Sequence, residues 1–118
     1  MNPSDLRRLH RIIETGEQLH RYIAANGITE EIIAQDITVQ WTVTTPLYNI
    51  GEHTYRLSKE LRESYPEIPW GKVAGLRHRL VHNYDDTNWS IINIIVFEDL
   101  PAFLKQVKSI VLSQNETK

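Results

Sequence analysis

Ile37-Thr38-Val39-Gln40-Trp41-Thr42-Val43-Thr44 is the stretch whose reading decides the fold. Apolar and polar residues alternate through it, which is the period of a half-buried strand. The same residues also fit a helix. Ile37, Trp41, Thr44, Tyr48 and Tyr55 then form one stripe, and Val43, Leu47, Ile50 and Leu57 form a second. No other alternating run offers a strand partner, and a lone strand is not stable. The helical reading is therefore adopted. A helix apolar on two sides is expected to lie buried among others. Pro46 should bend it, because its nitrogen cannot donate and its ring crowds the preceding turn. Gly51 permits close helix packing. Glu52 reads either as a solvated glutamate or as a polar group facing a site.

Outward from this helix, the other patterns are helical too. Leu6, Leu9, Ile12, Ile13, Leu19, Tyr22 and Ile23 recur at three- and four-residue steps. Ser4 is placed to cap that helix and Gly27 to end it. Arg7, Arg8, Arg11, Glu14, Glu17 and Arg21 make its solvated side, and His10 and His20 read as structural or surface residues. Thr29-Glu30-Glu31 looks like a helix start with acidic residues in its first turn. A short amphipathic piece covers residues 59–65, and Pro66 and Pro69 then break the chain. Pro69 suits the first turn of the next helix, whose apolar face is Val73, Leu76, Leu80 and Val81. Asp85-Asp86-Thr87-Asn88 reads as a turn with a cap. Trp89, Ile92, Ile95 and Val96 start another helical pattern. Glu98-Asp99-Leu100-Pro101 interrupts or bends it before Phe103, Leu104, Val107, Ile110 and Val111, and residues 113–118 should fray. The expectation is an all-α chain, an up-and-down bundle of four main helices with one or two short extras, forming a single domain over 1–118.

Composition narrows the function. At 118 residues the chain suits one core. The absence of cysteine excludes disulfides and thiolate metal sites, and agrees with a cytoplasmic setting. The N-terminus leads directly into an amphipathic segment, so no signal peptide is expected. The apolar runs are too short to span a membrane. A net charge of −2 argues against a general nucleic-acid coating protein, though not against an enzyme with a small basic site.

Such a site is visible in Gly75-Leu76-Arg77-His78-Arg79-Leu80-Val81-His82-Asn83-Tyr84. No acidic residue stands between Trp70 and Tyr84, so Lys72, Arg77 and Arg79 make a local positive patch. RNA carries its own nucleophile, the 2′-hydroxyl. A histidine that moves protons near neutral pH, beside an arginine that holds a phosphate, is sufficient equipment for its cleavage. His82 is the candidate acid or base and Arg77 the phosphate ligand. Arg79 and Lys72 either bind the RNA backbone or are solvated. An arginine and histidine at a helix end can also simply complement its dipole. His78 and His82 stand four apart, as two metal ligands could, but no His-Glu-x-x-His or other ligand cluster accompanies them, and no metal or cofactor is expected. In an unbroken helix, five steps turn about 140°, so Arg77 and His82 point apart. The reach of Arg77, unwinding near His82, or a dimer that joins two motifs in one cleft would each reconcile them.

Arg77, His82 and Tyr84 together read R-x4-H-x-Y, which resembles the signature of the HepT-like toxins of the HEPN ribonuclease superfamily. Gly51-Glu52, Leu57-Ser58, Ile68-Pro69-Trp70 and Asp99-Leu100-Pro101 resemble the same family in the same order, over about residues 6 to 112. The resemblance adds weight to the helical reading of residues 37–44. It implies a metal-independent endoribonuclease acting as the toxin of a toxin–antitoxin pair, with Arg77 and His82 catalytic. His78 fits the polar position that often follows the family's arginine, and Arg79, Asn83, Tyr84 and Lys72 join it as candidate RNA contacts. A homodimer is implied, as is a partner antitoxin, a minimal nucleotidyltransferase that transfers AMP to Tyr84. The alternative is a catalytically inactive HEPN-like module that binds or regulates a nucleotidyltransferase.

Overall fold

A computed structural model describes residues 1–82 and 87–116; of these, the side chains of Val81, His82, Asn115 and Glu116 are not described. The elements are α1 (Pro3–Ala25), α2 (Glu30–Gln35), α3 (Ile37–Tyr55), α4 (Lys59–Ser64), α5 (Trp70–Ala74), α6 (Leu76–His82), α7 (Trp89–Ile94), a π-helical turn (Ile95–Asp99) and α8 (Leu100–Glu116). No strand occurs among the described residues. The protein is an all-α, up-and-down bundle. Its four main columns are α1, α3, α5 with α6, and α7 running through the π turn into α8. Helix α3 packs on α1 at one side and on α5 and α6 at the other, while α1 also meets α8.

Residues 37–44 are helical. Asp36 accepts from the backbone N–H of Thr38 and Val39 and so starts α3. The helix passes through Pro46 without a break. Its first stripe is a correction to the expectation. Val43, Leu47 and Ile50 are fully buried, but Ile37, Trp41 and Tyr55 are 55%, 57% and 52% exposed. Helices α1, α5 and α6 cover only part of the circumference of α3. The rest faces solvent.

Two other local expectations change. Asn2, not Ser4, caps α1: its Oδ1 accepts from the N–H of Asp5 at 2.7 Å, and Pro3 occupies the first helical position. Helix α5 begins at Trp70, with Pro69 just before it. At the far end of α1, Gly27 adopts φ +58, the left-handed conformation that ends a helix.

The helix runs through Pro101 without interruption. The π turn widens the helix just ahead of the proline, which cannot donate to the carbonyl of Phe97 and would crowd it in a regular turn. His20 reaches the Val96 carbonyl in that turn through Nε2 at 3.3 Å. A carbonyl only accepts, so the proton is on Nε2 and His20 is structural, while His10 is exposed.

Buried residues from all four columns form a connected core that includes Leu9, Ile12, Val43, Leu47, Ile92 and Val107. Trp70 meets Phe103 edge to face at 5.7 Å and donates Nε1 to the Tyr65 carbonyl, which ties α5 to α8 and to the preceding turn. One polar tie lies deep. Asp5, only 4% exposed, accepts from the Ser58 backbone N–H at 2.9 Å and from its hydroxyl at 2.6 Å. Ser58 in turn accepts from the Leu61 N–H to start α4. This carboxylate pins the chain just beyond the C-terminal end of α3 to the start of α1.

Candidate active site

Helices α3 and α6 meet at Gly51. A Cβ there would lie 2.8 Å from the backbone nitrogen of Arg77 and 3.1 Å from the Val73 carbonyl oxygen, both immovable main-chain atoms. Only glycine lets the two helices approach so closely. The contact sets Arg77 over the last turns of α3. Its Nη1 donates to Glu52 Oε2 at 3.4 Å, and its guanidinium carbon sits 3.8 Å from the centre of the Tyr55 ring. The arginine is thus held by a carboxylate at one edge and an aromatic face below. Its side chain remains 33% exposed.

Of the two readings of Glu52, the one facing the site holds. Its Oε1 accepts from Arg56 Nε at 2.9 Å, so one carboxylate joins two arginines. Desolvation, the largest single influence on Glu52, opposes ionisation. The hydrogen bond and charge of Arg56, followed by those of Arg77, outweigh it and hold the carboxyl below its usual value.

Next to Glu52, His53 accepts at Nδ1 from Arg8 Nη1 of α1 at 3.2 Å. Guanidinium has no acceptor, so Nδ1 is bare and the proton is on Nε2. Burial, then the charges of Arg8 and Arg11, and further on Arg56, push the imidazole below its usual value, and Glu52 opposes them.

The structure brings Arg77 and His82 onto one unbroken helix, α6. The helix does not unwind before His82, so the two positions stand about 140° apart around it. The His82 side chain, and Asn83 and Tyr84 altogether, lie outside the described residues. His78 and Arg79 are exposed on α6. Lys72 forms an ion pair with Asp99 at 2.9 Å, at the edge of an apolar cavity of about 240 Å³ whose lining includes Val73, Leu76 and Phe103. The patch that looks purely basic in sequence is therefore partly neutralised by acids from distant segments. Among the described residues no group of three or more His, Cys, Asp or Glu could hold a metal ion.

Tyr55, Arg56, His53 and Arg8 escaped the sequence reading. Tyr55 and Arg56 had a signal in the chain: Trp41, Tyr48 and Tyr55 repeat every seven residues, and Glu52 and Arg56 stand four apart. Arg8 had none, since its partner is 45 residues away.

The Ribonuclease HepT-like family matches residues 6–110. A candidate RNase of Caldanaerobacter subterraneus subsp. tengcongensis is 36% identical over 84 residues, 71% of this chain and 75% of that one. A candidate RNase of Methanocaldococcus jannaschii is 33% identical over 86 residues, 73% of this chain and 71% of its own. A protein of Thermococcus cleftensis named as a probable ribonuclease HepT is 31% identical over 78 residues, 63% of this chain and 71% of the relative. No solved structure matches significantly.

The depressed His53 has a consequence for stability. Its imidazole is neutral in both folded and unfolded chains well above 6.5, its ordinary value. As pH falls below that, the unfolded chain takes up the proton more readily and the fold loses stability. Denaturant unfolding between pH 7.5 and 5.0 is expected to show a falling midpoint that His53→Gln flattens. An identical pH dependence in the variant contradicts the assignment.

Proposed function

The chain belongs to the HepT-like ribonuclease family and is a ribonuclease, and we propose that it is a cytoplasmic, metal-independent endoribonuclease, the toxin of a toxin–antitoxin pair. The observation that carries this reading is Arg77. Among the described residues Arg77 donates to Glu52 through Nη1, which leaves other N–H groups of a fixed, permanently charged fork to hold a phosphate. In this reading His82 takes the proton of the 2′-hydroxyl as its oxygen attacks the adjacent phosphorus. The bond to the 5′ oxygen breaks, and that oxygen takes a proton from an imidazolium. The products are a 2′,3′-cyclic phosphate and a 5′-hydroxyl. Arg77 carries the extra charge of the phosphorane. His78 and Arg79, exposed on the same helix, Asn83 beyond it, and Lys72 through exchange of Asp99 for phosphate, contact the RNA. Purified protein incubated with total RNA in chelator should cleave it. His82→Ala should abolish cleavage with the fold retained, and Arg77→Ala should slow it on the order of a hundredfold. Full cleavage by folded His82→Ala refutes the assignment.

Two acids or bases are needed, and α6 supplies His82 once, at a position about 140° around the helix from Arg77. A homodimer that joins two motifs in one cleft meets both needs. The exposed stripe Ile37, Trp41 and Tyr55 supports it, since Tyr55 lies under Arg77 and the apolar surface continues from there along α3. Sedimentation should give twice the 13.8 kDa chain mass, and Trp41→Glu should shift it toward monomer with loss of cleavage. A monomer that cleaves at the full rate refutes the composite cleft.

The proposed partner is a minimal nucleotidyltransferase antitoxin that transfers AMP to Tyr84. Tyr84 stands two residues beyond His82, and an added nucleotide there would place a phosphate within competition for the site's cations. Co-expression with the neighbouring nucleotidyltransferase, followed by intact mass and peptide mapping, should show an adduct that Tyr84→Phe removes. Neutralised protein without an adduct on Tyr84 excludes this route.

A further inference from the structure

A second concentration of charge lies where α1 crosses the C-terminal end of α3. At about 100° per residue, Tyr55, Glu52, Arg56 and His53 follow one another around α3 at about 0°, 60°, 100° and 160°. Arg77 of α6 caps this row at the Tyr55 end, and Arg8 of α1 meets it at the His53 end. Arg11 stands one turn beyond Arg8. Its contact with Glu14 is 3.7 Å between side chains that are both 59% exposed, which holds it weakly. Four arginines on three helices thus face two carboxylates. The carboxylate inside the row, Glu52, is 21% exposed, while Arg56 is 57% exposed. Arg11 and Arg56 are the outermost of the cations, on a chain whose net charge is −2. An exposed aromatic ring, Tyr55, is set among them.

We infer that Arg8, Arg11 and Arg56 form a phosphate-binding track that leads single-stranded RNA to Arg77. The inference rests on the ribonuclease reading above and adds a second binding site to it. Basic side chains that follow a backbone, interleaved with an exposed ring for a base to stack on, are how single strands are held without regard to sequence. The lowered pKa of His53 agrees with this placement: burial is its first cause, and the charges of Arg8, Arg11 and Arg56 add to it. A phosphate placed there relieves their mutual repulsion. An acidic peptide would use the same charge, but it would need neither the ring nor the continuity with a phosphate-holding Arg77.

The test uses the full chain and a fluorescent 2′-O-methyl single strand, which binds but cannot be cleaved, with anisotropy read across a salt series. Each phosphate contact to a single strand contributes a slope of about 0.7 to log K against log salt. The Arg8→Gln/Arg11→Gln double variant should therefore flatten the slope by about 1.4. With cleavable RNA, the loss in kcat/KM should fall on KM. Arg8→Lys/Arg11→Lys keeps the charges and should keep the slope, whereas a purely structural role for the arginine contact to His53 would impair both doubles alike. An unchanged slope in the glutamine double, with wild type cleaving RNA normally, overturns the track. So does unchanged RNA affinity with lost binding to the partner nucleotidyltransferase, which would make this a protein-docking surface. If wild type cleaves no RNA at all, it is the ribonuclease reading that fails, and the salt slope still decides the track.

Discussion

The backbone contact at Gly51 is the constraint on which the arrangement depends. Two helices ordinarily pack 8–10 Å apart because side chains stand between them. Here one position has no side chain, and the main chain of α6 comes up against α3. Any Cβ would strike the nitrogen of Arg77 or the carbonyl of Val73, and neither can move without moving α5 and α6. The arginine's placement over Glu52 and Tyr55 follows from that approach. The Asp5 to Ser58 tie works on the same region from the other side, since it anchors the turn that leaves α3 and thereby fixes the end of the helix that carries Glu52, Tyr55 and Arg56.

Electrostatics at the site are organised by scarcity of negative charge. Glu52 divides its two oxygens between Arg56 and Arg77, so neither arginine is fully matched. Arg8 spends its contact on a neutral imidazole and gains no charge compensation from it. The ion pair of Lys72 with Asp99 is of a different kind. It joins the middle of α5 to the π turn, and the 60% exposure of its lysine limits its value to about 0–1 kcal/mol.

The uncovered side of α3 is the other debt in the structure. Ile37 and Trp41 expose large apolar side chains beside polar Thr38, Thr42 and Thr45, whose threonine-rich surround keeps the stripe compatible with water. Threonines 42 and 45 return their hydroxyls to carbonyls in the preceding turn, at 2.9 and 3.3 Å, and so do not compete for a partner's groups. An apolar seam with its polar neighbours already satisfied is well suited to burial against another surface.

The sequence by itself determined the secondary structure class, the helical runs and the motif Arg77 to Tyr84. Those depend on periodicity, punctuation and order, which are local. It also carried the reason residues 37–44 are helical, because a strand there would have had nothing to pair with. The tertiary structure decided what local patterns leave open. The first stripe of α3 looked like core and proved half solvent-facing, since periodicity shows that a face is apolar but not how many neighbours cover it. Glu52 could be assigned to Arg77 only when α6 was laid across α3, and Arg8 to His53 only when α1 was. The cap moved from Ser4 to Asn2 because the two polar residues that flank Pro3 satisfy the same rule, and only the geometry of Pro3 chooses between them. Electrostatic partners separated by 25 and 45 residues leave no trace in spacing, because charge pairs follow distance in space and not along the chain.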